Sequence, residues 1–224
     1  MSFSNEAFAF LRDLERNNTK EWFEANRHRY EVSWKSAALD FISDIAEDMA
    51  NQDPPLKAEA RLNGSLRRIN RDVRFSKDKS PYNPSLHMIF WAGVHPNRSP
   101  GMHIVLQSGG VGNGAGQFGI DPKTLSGLRA RILDKADGNA LQSAVKRAAT
   151  VDCSMGDPEL ACLPKGYTAE GPRADLLRHK SFVARTYGDP VSKDVILGPD
   201  GKSWVLQTTK ALMPLIRWLN AGTS

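Results

Sequence analysis

The sequence predicts an α+β fold, with N-terminal helices, a central mainly antiparallel sheet and further C-terminal helices in a single domain over residues 1–224. Apolar residues recur at helical spacing up to residue 49, and short extended runs separated by turn signals follow up to residue 107. Helical patterns return after residue 121. Because helices and strands are segregated along the chain, an α+β arrangement is favoured over an alternating one.

The first 50 residues predict two helices, 5–17 and a longer one that begins after Asn18. Asn18 is a suitable N-cap, and Glu21 stands where a capping box places its acid. An apolar stripe runs through the longer helix in steps of three, four and seven residues, and we expect it to be core. Its members are Phe23, Tyr30, Trp34, Ala37, Ala38, Phe41, Ile42, Ile45 and Met49.

Four extended runs predict an antiparallel meander, since strands adjacent in sequence tend to pair. Residues 57–62 and 65–75 form the first two strands, with Asn63-Gly64 as a hairpin turn between them. Residues 85–92 and 102–107 form the next two.

Residues 109–119 are rich in glycine and match the dinucleotide-binding fingerprint by letter at residues 114–119. The surrounding sequence lacks the parallel strand–turn–helix–strand unit that this fingerprint needs. We therefore expect a glycine-rich strand whose bare backbone lets another element approach closely.

The C-terminal half predicts mainly helices. Asp121 caps a helix with Pro122 at its first position, and Asp137-Gly138 ends it. The remaining elements are a helix at 140–149, an irregular stretch at 150–171, a short helix at 172–178, a strand at 181–187 and a terminal helix at 203–219.

Composition points to the cytoplasm. No apolar run approaches the roughly 18 residues of a membrane span, and the N-terminus lacks the basic and apolar regions of a secretory signal. Cys153 and Cys162 fit no zinc or redox spacing, so we expect free thiols, as is usual in that compartment. The sequence gives no indication of oligomeric state.

Three histidines, His87, His95 and His103, stand at equal spacing. A hairpin centred near residue 96 does not place His87 opposite His103, and no carboxylate cluster lies nearby in the sequence. Ordinary strand and loop histidines are the better interpretation, so we expect no metal site and no cofactor.

Positive charge is concentrated in one place. Residues 57–79 hold eight basic and three acidic residues, a net charge of +5, which equals the net charge of the whole chain. The remainder is neutral, so bulk electrostatic binding to nucleic acid or membrane is disfavoured. A local anion site or a small nucleic-acid patch fits better.

The residues from 67 to 82, which we call the basic segment, hold the candidate site. As a strand, it would place Arg68, Asn70, Asp72 and Arg74 on one polar face. Arginine forks match phosphate and carboxylate, so the predicted anion-binding residues are Arg68, Arg71, Arg74, Lys77 and Lys79. The catalytic candidates are Asp72 as base or orienter, Lys77 and Lys79 as charge stabilisers, and Tyr82 as proton donor.

Residues 64–82 read Gly-Ser-Leu-Arg-Arg-Ile-Asn-Arg-Asp-Val-Arg-Phe-Ser-Lys-Asp-Lys-Ser-Pro-Tyr, and this run resembles the signature of the family named domain of unknown function 2461. The resemblance extends to Asn17-Asn18, to residues 21–23, to residues 111–114 and to residues 177–182. It covers nearly the whole chain and supports the fold and the site, but the family name implies no activity.

Three functions stay open at this point. The first is a protein, or an enzyme, that binds a phosphorylated or carboxylated small molecule through the basic segment. The second is a nucleic-acid-binding module in which Phe75 or Tyr82 stacks on a base. The third is structural: Arg68, Asp72, Arg74 and Asp78 form a buried ion-pair network without a ligand.

Overall fold

The computed structural model describes residues 3–187 and 189–222 and confirms the predicted α+β fold. N-terminal helices precede a five-stranded antiparallel sheet of order β1-β2-β3-β5-β4, and further helices follow and flank its last strands. The strands are β1 Ser85–Trp91, β2 Gly101–Gln107, β3 Gly110–Gln117, β4 Cys153–Met155 and β5 Phe182–Thr186.

The N-terminal helices are α1 Asn5–Arg16, α2 Lys20–Ala25, α3 Arg27–Arg29 and α4 Ala37–Ala50, with a π-helical stretch at Tyr30–Ser36 before α4. The single long helix predicted after Asn18 is therefore divided. Asn26 ends α2, and its side chain donates back to the carbonyl of Trp22. Thr19 rather than Asn18 caps α2, accepting from the Trp22 amide at 3.2 Å. The predicted apolar stripe is buried apart from Ala37, which is half-buried.

The helices pack on one face of the sheet. The main core joins Trp34, Phe41 and Leu215 of the helices to alternate residues of β1 and β2, such as Met88 and Ile104. The opposite face, which we call the groove face, carries the other alternate residues. On β1 to β3 these are His87, Ile89, Trp91, His103, Val105, Gly112, Gly114 and Gly116.

The two strands predicted at 57–62 and 65–75 do not form. Residues 57–70 follow the free edge of β1 through two isolated bridges, Lys57 to Trp91 and Leu66 to Met88, and a third bridge joins Asn70 to Tyr82 just before β1. The chain advances nine residues from Lys57 to Leu66 while β1 advances only three, so a regular ladder is impossible. The extra residues form a turn in which Asn63 adopts a positive φ of 61°, in place of the predicted two-residue hairpin.

The glycine-rich strand is confirmed as β3, which is antiparallel to both neighbours. Close approach explains two of its glycines. A Cβ at Gly114 would lie 2.6 Å from the Cβ of Arg185, and one at Gly116 would lie 2.0 Å from the carbonyl oxygen of Phe182. An antiparallel strand in this context is not a dinucleotide-binding unit.

The C-terminal helices are α5 Pro122–Leu133, α6 Lys135–Ala148, α7 Gly171–Leu177 and α8 Gly201–Ala221. The predicted break at Asp137-Gly138 is wrong, because Asp134 ends α5 and caps α6 by accepting from two backbone amides. Gly138 lies inside α6, where a Cβ would approach the Ile132 carbonyl oxygen to 2.3 Å. Within residues 3–187 and 189–222, no helix has the length and apolar character needed to cross a membrane.

Candidate functional site

The first part of the basic segment, residues 67–70, lies against the edge of β1, and we call it the inner half. The Arg67 amide donates to the His87 carbonyl at 2.9 Å, and the Asn83 amide donates to the Ile69 carbonyl at 2.8 Å. The Ile69 side chain is buried in the main core. The inner half is therefore fixed to the sheet by both backbone bonds and packing.

The second part, residues 71–79, is an exposed loop that we call the outer half. Phe75 at its tip is 97% exposed. The backbone neither pairs with β1 nor keeps strand alternation here. The predicted polar face shared by Arg68 and Arg74 is therefore wrong, because it required a continuous strand through both halves.

Most charged groups of the outer half are paired with one another. Arg74 pairs with Asp72, its Nη2 lying 2.7 Å from Oδ2. Arg71 donates to the carboxylate of Asp78 and, at 3.0 Å, to the Ser80 carbonyl. These partners hold the pKa values of both carboxyls below their ordinary values: the Arg74 hydrogen bonds lower that of Asp72. Hydrogen bonds from Ser80, and then from Arg71, lower that of Asp78 to about 2.

The four residues of the predicted buried network are exposed, which contradicts it, whereas Arg71, which was not part of that network, is 22% exposed. The side chains of Arg74 and Asp72 are 76% and 46% exposed, and that of Asp78 is 59% exposed. Arg68 makes no ion pair with any described residue. Lys79 donates to the Val73 carbonyl at 3.0 Å, and Lys77 is exposed. Such surface pairs contribute little to stability.

The inner half carries two cations without carboxylate partners. Arg67 is partly buried, and its Nη2 donates to the amide oxygen of Asn97 at 2.5 Å. Neither Arg67 nor Arg68 forms a salt bridge within the part of the chain that the structure describes. Burial, and then the like charge of Arg68, lower the pKa of Arg67. A desolvated cation next to a second cation is a site that favours an anion.

Both arginines line a cavity of about 480 Å³, which we call the inner cavity. The remaining lining residues are neutral: Asn63, Asn70, Asn83, His87, His95, Pro96 and Asn97. Amide side chains and guanidinium groups together supply many hydrogen-bond donors. The inner cavity therefore has the charge and the hydrogen-bonding groups that a phosphate or carboxylate requires.

Next to this cavity, His87 and His103 contact each other on the groove face, with Nε2 of His87 2.8 Å from Nδ1 of His103. The register pairs His87 with Val105 and His103 with Ile89, so the two histidines are not directly opposite, as predicted. Residues diagonal across two strands are nevertheless within reach of long side chains, and the sequence analysis missed this contact.

Burial, and then the charge of Arg67, lower the pKa of His87 to about 4. Burial, followed by His87 and Arg67, lowers that of His103 to about 3. Both rings are therefore neutral at pH 7. The described residues contain no group of three or more metal-ligating side chains.

Tyr82, the predicted proton donor, is a packing residue. Its ring is 5% exposed and stacks on Phe23 with centroids 4.1 Å apart. Asn18 fixes its backbone, donating to the Tyr82 carbonyl at 2.9 Å and accepting from its amide at 3.1 Å. Burial raises the pKa of Tyr82. Tyr82 is not among the side chains that line the inner cavity.

Four further basic residues near β5, Arg178, His179, Lys180 and Arg185, do not join the basic segment. The strand β5 lies between β3 and β4, away from the edge of β1 that residues 66–70 follow. Arg185 lines a different part of the groove face, near His87 and His103. His179 lines a separate cavity between α6 and α7, and its Nδ1 is 3.5 Å from a carboxylate oxygen of Glu159.

The comparisons with known proteins identify the family of this chain but assign it no activity. No curated protein and no solved structure matches the chain. One family model, described as conserved hypothetical protein (DUF2461), matches residues 6–218. The match spans the N-terminal helices, the basic segment, the sheet and most of α8. The chain therefore belongs to the DUF2461 family of conserved hypothetical proteins.

Proposed function

We propose that this protein binds a small molecule bearing a phosphate or carboxylate group, and that the group docks in the inner cavity between Arg67 and Arg68. One observation supports the proposal above the others. Arg67 is partly buried next to a second cation, and no carboxylate of the described chain forms a salt bridge with either, although the charge of Arg68 reaches Asp72.

The physical argument is a free-energy balance. Removing a guanidinium from water is costly unless an opposite charge compensates, and here a like charge adds to the cost. A bound anion would relieve both penalties and accept bidentate hydrogen bonds. Each such charged hydrogen bond contributes roughly 1.5–3 kcal/mol.

The arrangement favours binding by the inner half of the segment. Of the predicted anion-binding residues, only Arg68 lines the inner cavity. Arg67, which was not predicted, lines it as well. Asp72, Lys77 and Lys79 lie in the exposed outer half, and Tyr82 is in the core. The catalytic roles first considered for these four residues therefore form no part of the proposal.

A thermal-unfolding screen against phosphate, sulfate, sugar phosphates, nucleotides and carboxylates tests the proposal. A ligand at 100 times its dissociation constant should add about 2.7 kcal/mol to the free energy of unfolding. We expect stabilisation of the wild type and of Arg74→Gln, the matched control, but not of Arg67→Gln. Equal stabilisation of all three proteins, or of none, would refute the site.

Nucleic-acid binding by the outer half is the second candidate, and Phe75 favours it. Its exposed ring has the Arg74 guanidinium 5.9 Å from its centroid, and such aromatic and cationic groups bind single-stranded bases. This candidate predicts that Phe75→Ala weakens binding of a short oligonucleotide and Arg67→Gln does not. The reverse pattern would assign any oligonucleotide binding to the inner cavity.

The expected cytoplasmic location stays part of the proposal. Cys153 and Cys162 are both free thiols, one buried and one exposed. Free thiols are usual in a reducing compartment.

A further inference from the structure

The inner cavity continues into a longer groove on the groove face. A second cavity of about 280 Å³ shares Arg67 and His87 with it. A third, of about 170 Å³, shares His87, His103 and Phe118 with the second. Because neighbouring strands lie about 4.8 Å apart, the groove extends about 10 Å from β1 to β3.

We propose that this groove binds a two-part ligand of the nucleotide class, with its phosphate at Arg67 and Arg68 and a planar heterocycle over Gly112 of β3. The inference rests on the proposed function and specifies the ligand class of the same site.

The floor of the groove at β3 is bare backbone. A Cβ at Gly112 would have only one atom within 4 Å, the Val105 carbonyl oxygen at 3.9 Å, so this glycine faces open space. Gly112 therefore leaves room that any other residue would fill. Phe118 and Val183 line the same space, and Phe118 is 54% exposed. A flat floor with an aromatic wall suits a planar ring.

The histidine pair suits an uncharged polar group in the middle of the ligand. The 2.8 Å contact uses one nitrogen of each ring and requires one proton between them. Of the two outer nitrogens, one is then a donor and the other an acceptor, whichever ring donates. Neither outer nitrogen has a hydrogen-bond partner in the described chain. Sugar hydroxyls can both donate and accept, and they stand between phosphate and base in a nucleotide.

The far end of the groove has polar groups among apolar walls, which suits a ring with polar edges as the second part of the ligand. Arg185 and Thr186 line it, together with Gln107. The Arg185 guanidinium lies over the Tyr187 ring, 4.6 Å from its centroid. A heterocycle with polar edges matches these groups better than a lipid tail does.

Calorimetric titration with inorganic phosphate, ribose 5-phosphate and the four common nucleoside monophosphates tests the inference. On the wild type, we expect at least one nucleotide to bind about tenfold or more tightly than phosphate and ribose 5-phosphate. Arg67→Gln should weaken every one of these ligands.

Two variants remove the second part of the site alone. Gly112→Val fills the floor, and Phe118→Ser removes the wall, with Phe75→Ser as the matched control on the other exposed phenylalanine. We expect the first two to reduce nucleotide affinity to that of ribose 5-phosphate while changing phosphate affinity less than about twofold. Thermal unfolding of each variant confirms that it is folded.

The outcomes separate the two proposals. If phosphate binds through Arg67 but no nucleotide binds more than twofold tighter, the two-part ligand is refuted and the anion site stands. Nucleotide binding that Gly112→Val and Phe118→Ser leave unchanged refutes it as well. If neither phosphate nor any phosphorylated probe binds the wild type, the anion site fails and this inference fails with it.

Discussion

The two halves of the basic segment are alike in arginine content and differ in environment. Both halves contain two arginines, yet Arg71 and Arg74 of the outer half have aspartate partners in their own loop. Arg67 and Arg68 have none and face a cavity of neutral side chains. The difference shows that charge density in a sequence locates a region, whereas the placement of carboxylates decides which cations are available to a ligand.

Anchoring differs between the halves as well. Ile69 of the inner half packs in the main core and is 2% exposed, while Phe75 of the outer half is 97% exposed. A binding site needs side chains held in position, and a core anchor provides that more effectively than exposed ion pairs do.

The largest expected effect follows from this anchoring. Ile69→Ala should lower the free energy of unfolding by about 2–5 kcal/mol, because it leaves a cavity in the core. Phe75→Ala should change it by less than about 0.5 kcal/mol, because the ring contacts little besides water. Urea unfolding of the two variants measures both values, and similar losses would contradict the division into halves.

The second prediction concerns acid. The pKa values of His87 and His103, about 4 and about 3, lie below the ordinary value of 6.5, so the unfolded chain binds more protons. Proton uptake by the unfolded chain therefore leaves the fold unaffected above pH 6.5 and destabilises it as the pH falls from 6.5 through about 4 for His87 and about 3 for His103. The slope is at most about 1.4 kcal/mol per pH unit for each histidine.

Urea unfolding between pH 7.5 and 4.5 measures this slope, with the His87→Gln/His103→Gln variant as the comparison. We expect a flatter profile for the variant. Asp78 should act in a separate window, because its folded pKa of about 2 lies below 3.8 and its contribution is lost only as the pH falls from 3.8 through 2. Identical profiles for wild type and histidine variant above pH 4.5 would show that the pair is not buried as described.

The third prediction tests whether the hydrogen bonds of Arg71 hold the outer half in its loop conformation. Arg71→Gln removes the hydrogen bonds to Asp78 and to the Ser80 carbonyl and should cost about 1 kcal/mol. Trypsin should then cleave faster after Lys77 or Lys79. Arg74→Gln, which removes only an exposed pair, should leave both the stability and the cleavage rate nearly unchanged. Slower cleavage in Arg71→Gln would mean that these Arg71 hydrogen bonds do not hold the loop in place.

The smallest expected change in stability belongs to Arg68→Gln. Arg68 makes no hydrogen bond or ion pair with the described residues, so the free energy of unfolding should stay within about 0.5 kcal/mol of the wild type. Phosphate affinity should nevertheless fall severalfold, since one of two cations is lost. Chemical denaturation and calorimetric titration of the same preparation measure the two effects, and a large loss of stability with unchanged affinity would make Arg68 a structural residue.

Local signals in the sequence predicted much of the fold. The helical apolar stripe marks residues that are buried, and the Asp121-Pro122 start of α5 is present as expected. These signals depend on residues within one or two turns of one another. The strands predicted at 57–62 and 65–75 failed because strand formation also requires a partner in register, and six additional residues on one side interrupt the pairing with β1.

The site was predicted in part. Charge counting found the right segment, but the sequence does not reveal that Asp72 and Asp78 fold back onto Arg74 and Arg71. Arg67 was not among the predicted ligand residues, because its partial burial depends on contacts with His87 and Asn97 that are distant in the sequence. The diagonal contact of His87 with His103 was detectable in principle, since diagonal neighbours two positions from the direct partner are within reach.

The most direct test of the account observes the arginine side chains themselves. The Nε–H signals of Arg67 and Arg74 are assigned in a ¹H–¹⁵N spectrum with Arg67→Gln and Arg74→Gln and then followed during a titration with phosphate. The account predicts a saturating shift of the Arg67 signal and little change in that of Arg74, which is already paired with Asp72. An unchanged Arg67 signal, or equal shifts of the two, would contradict the claim that the inner half is the anion site.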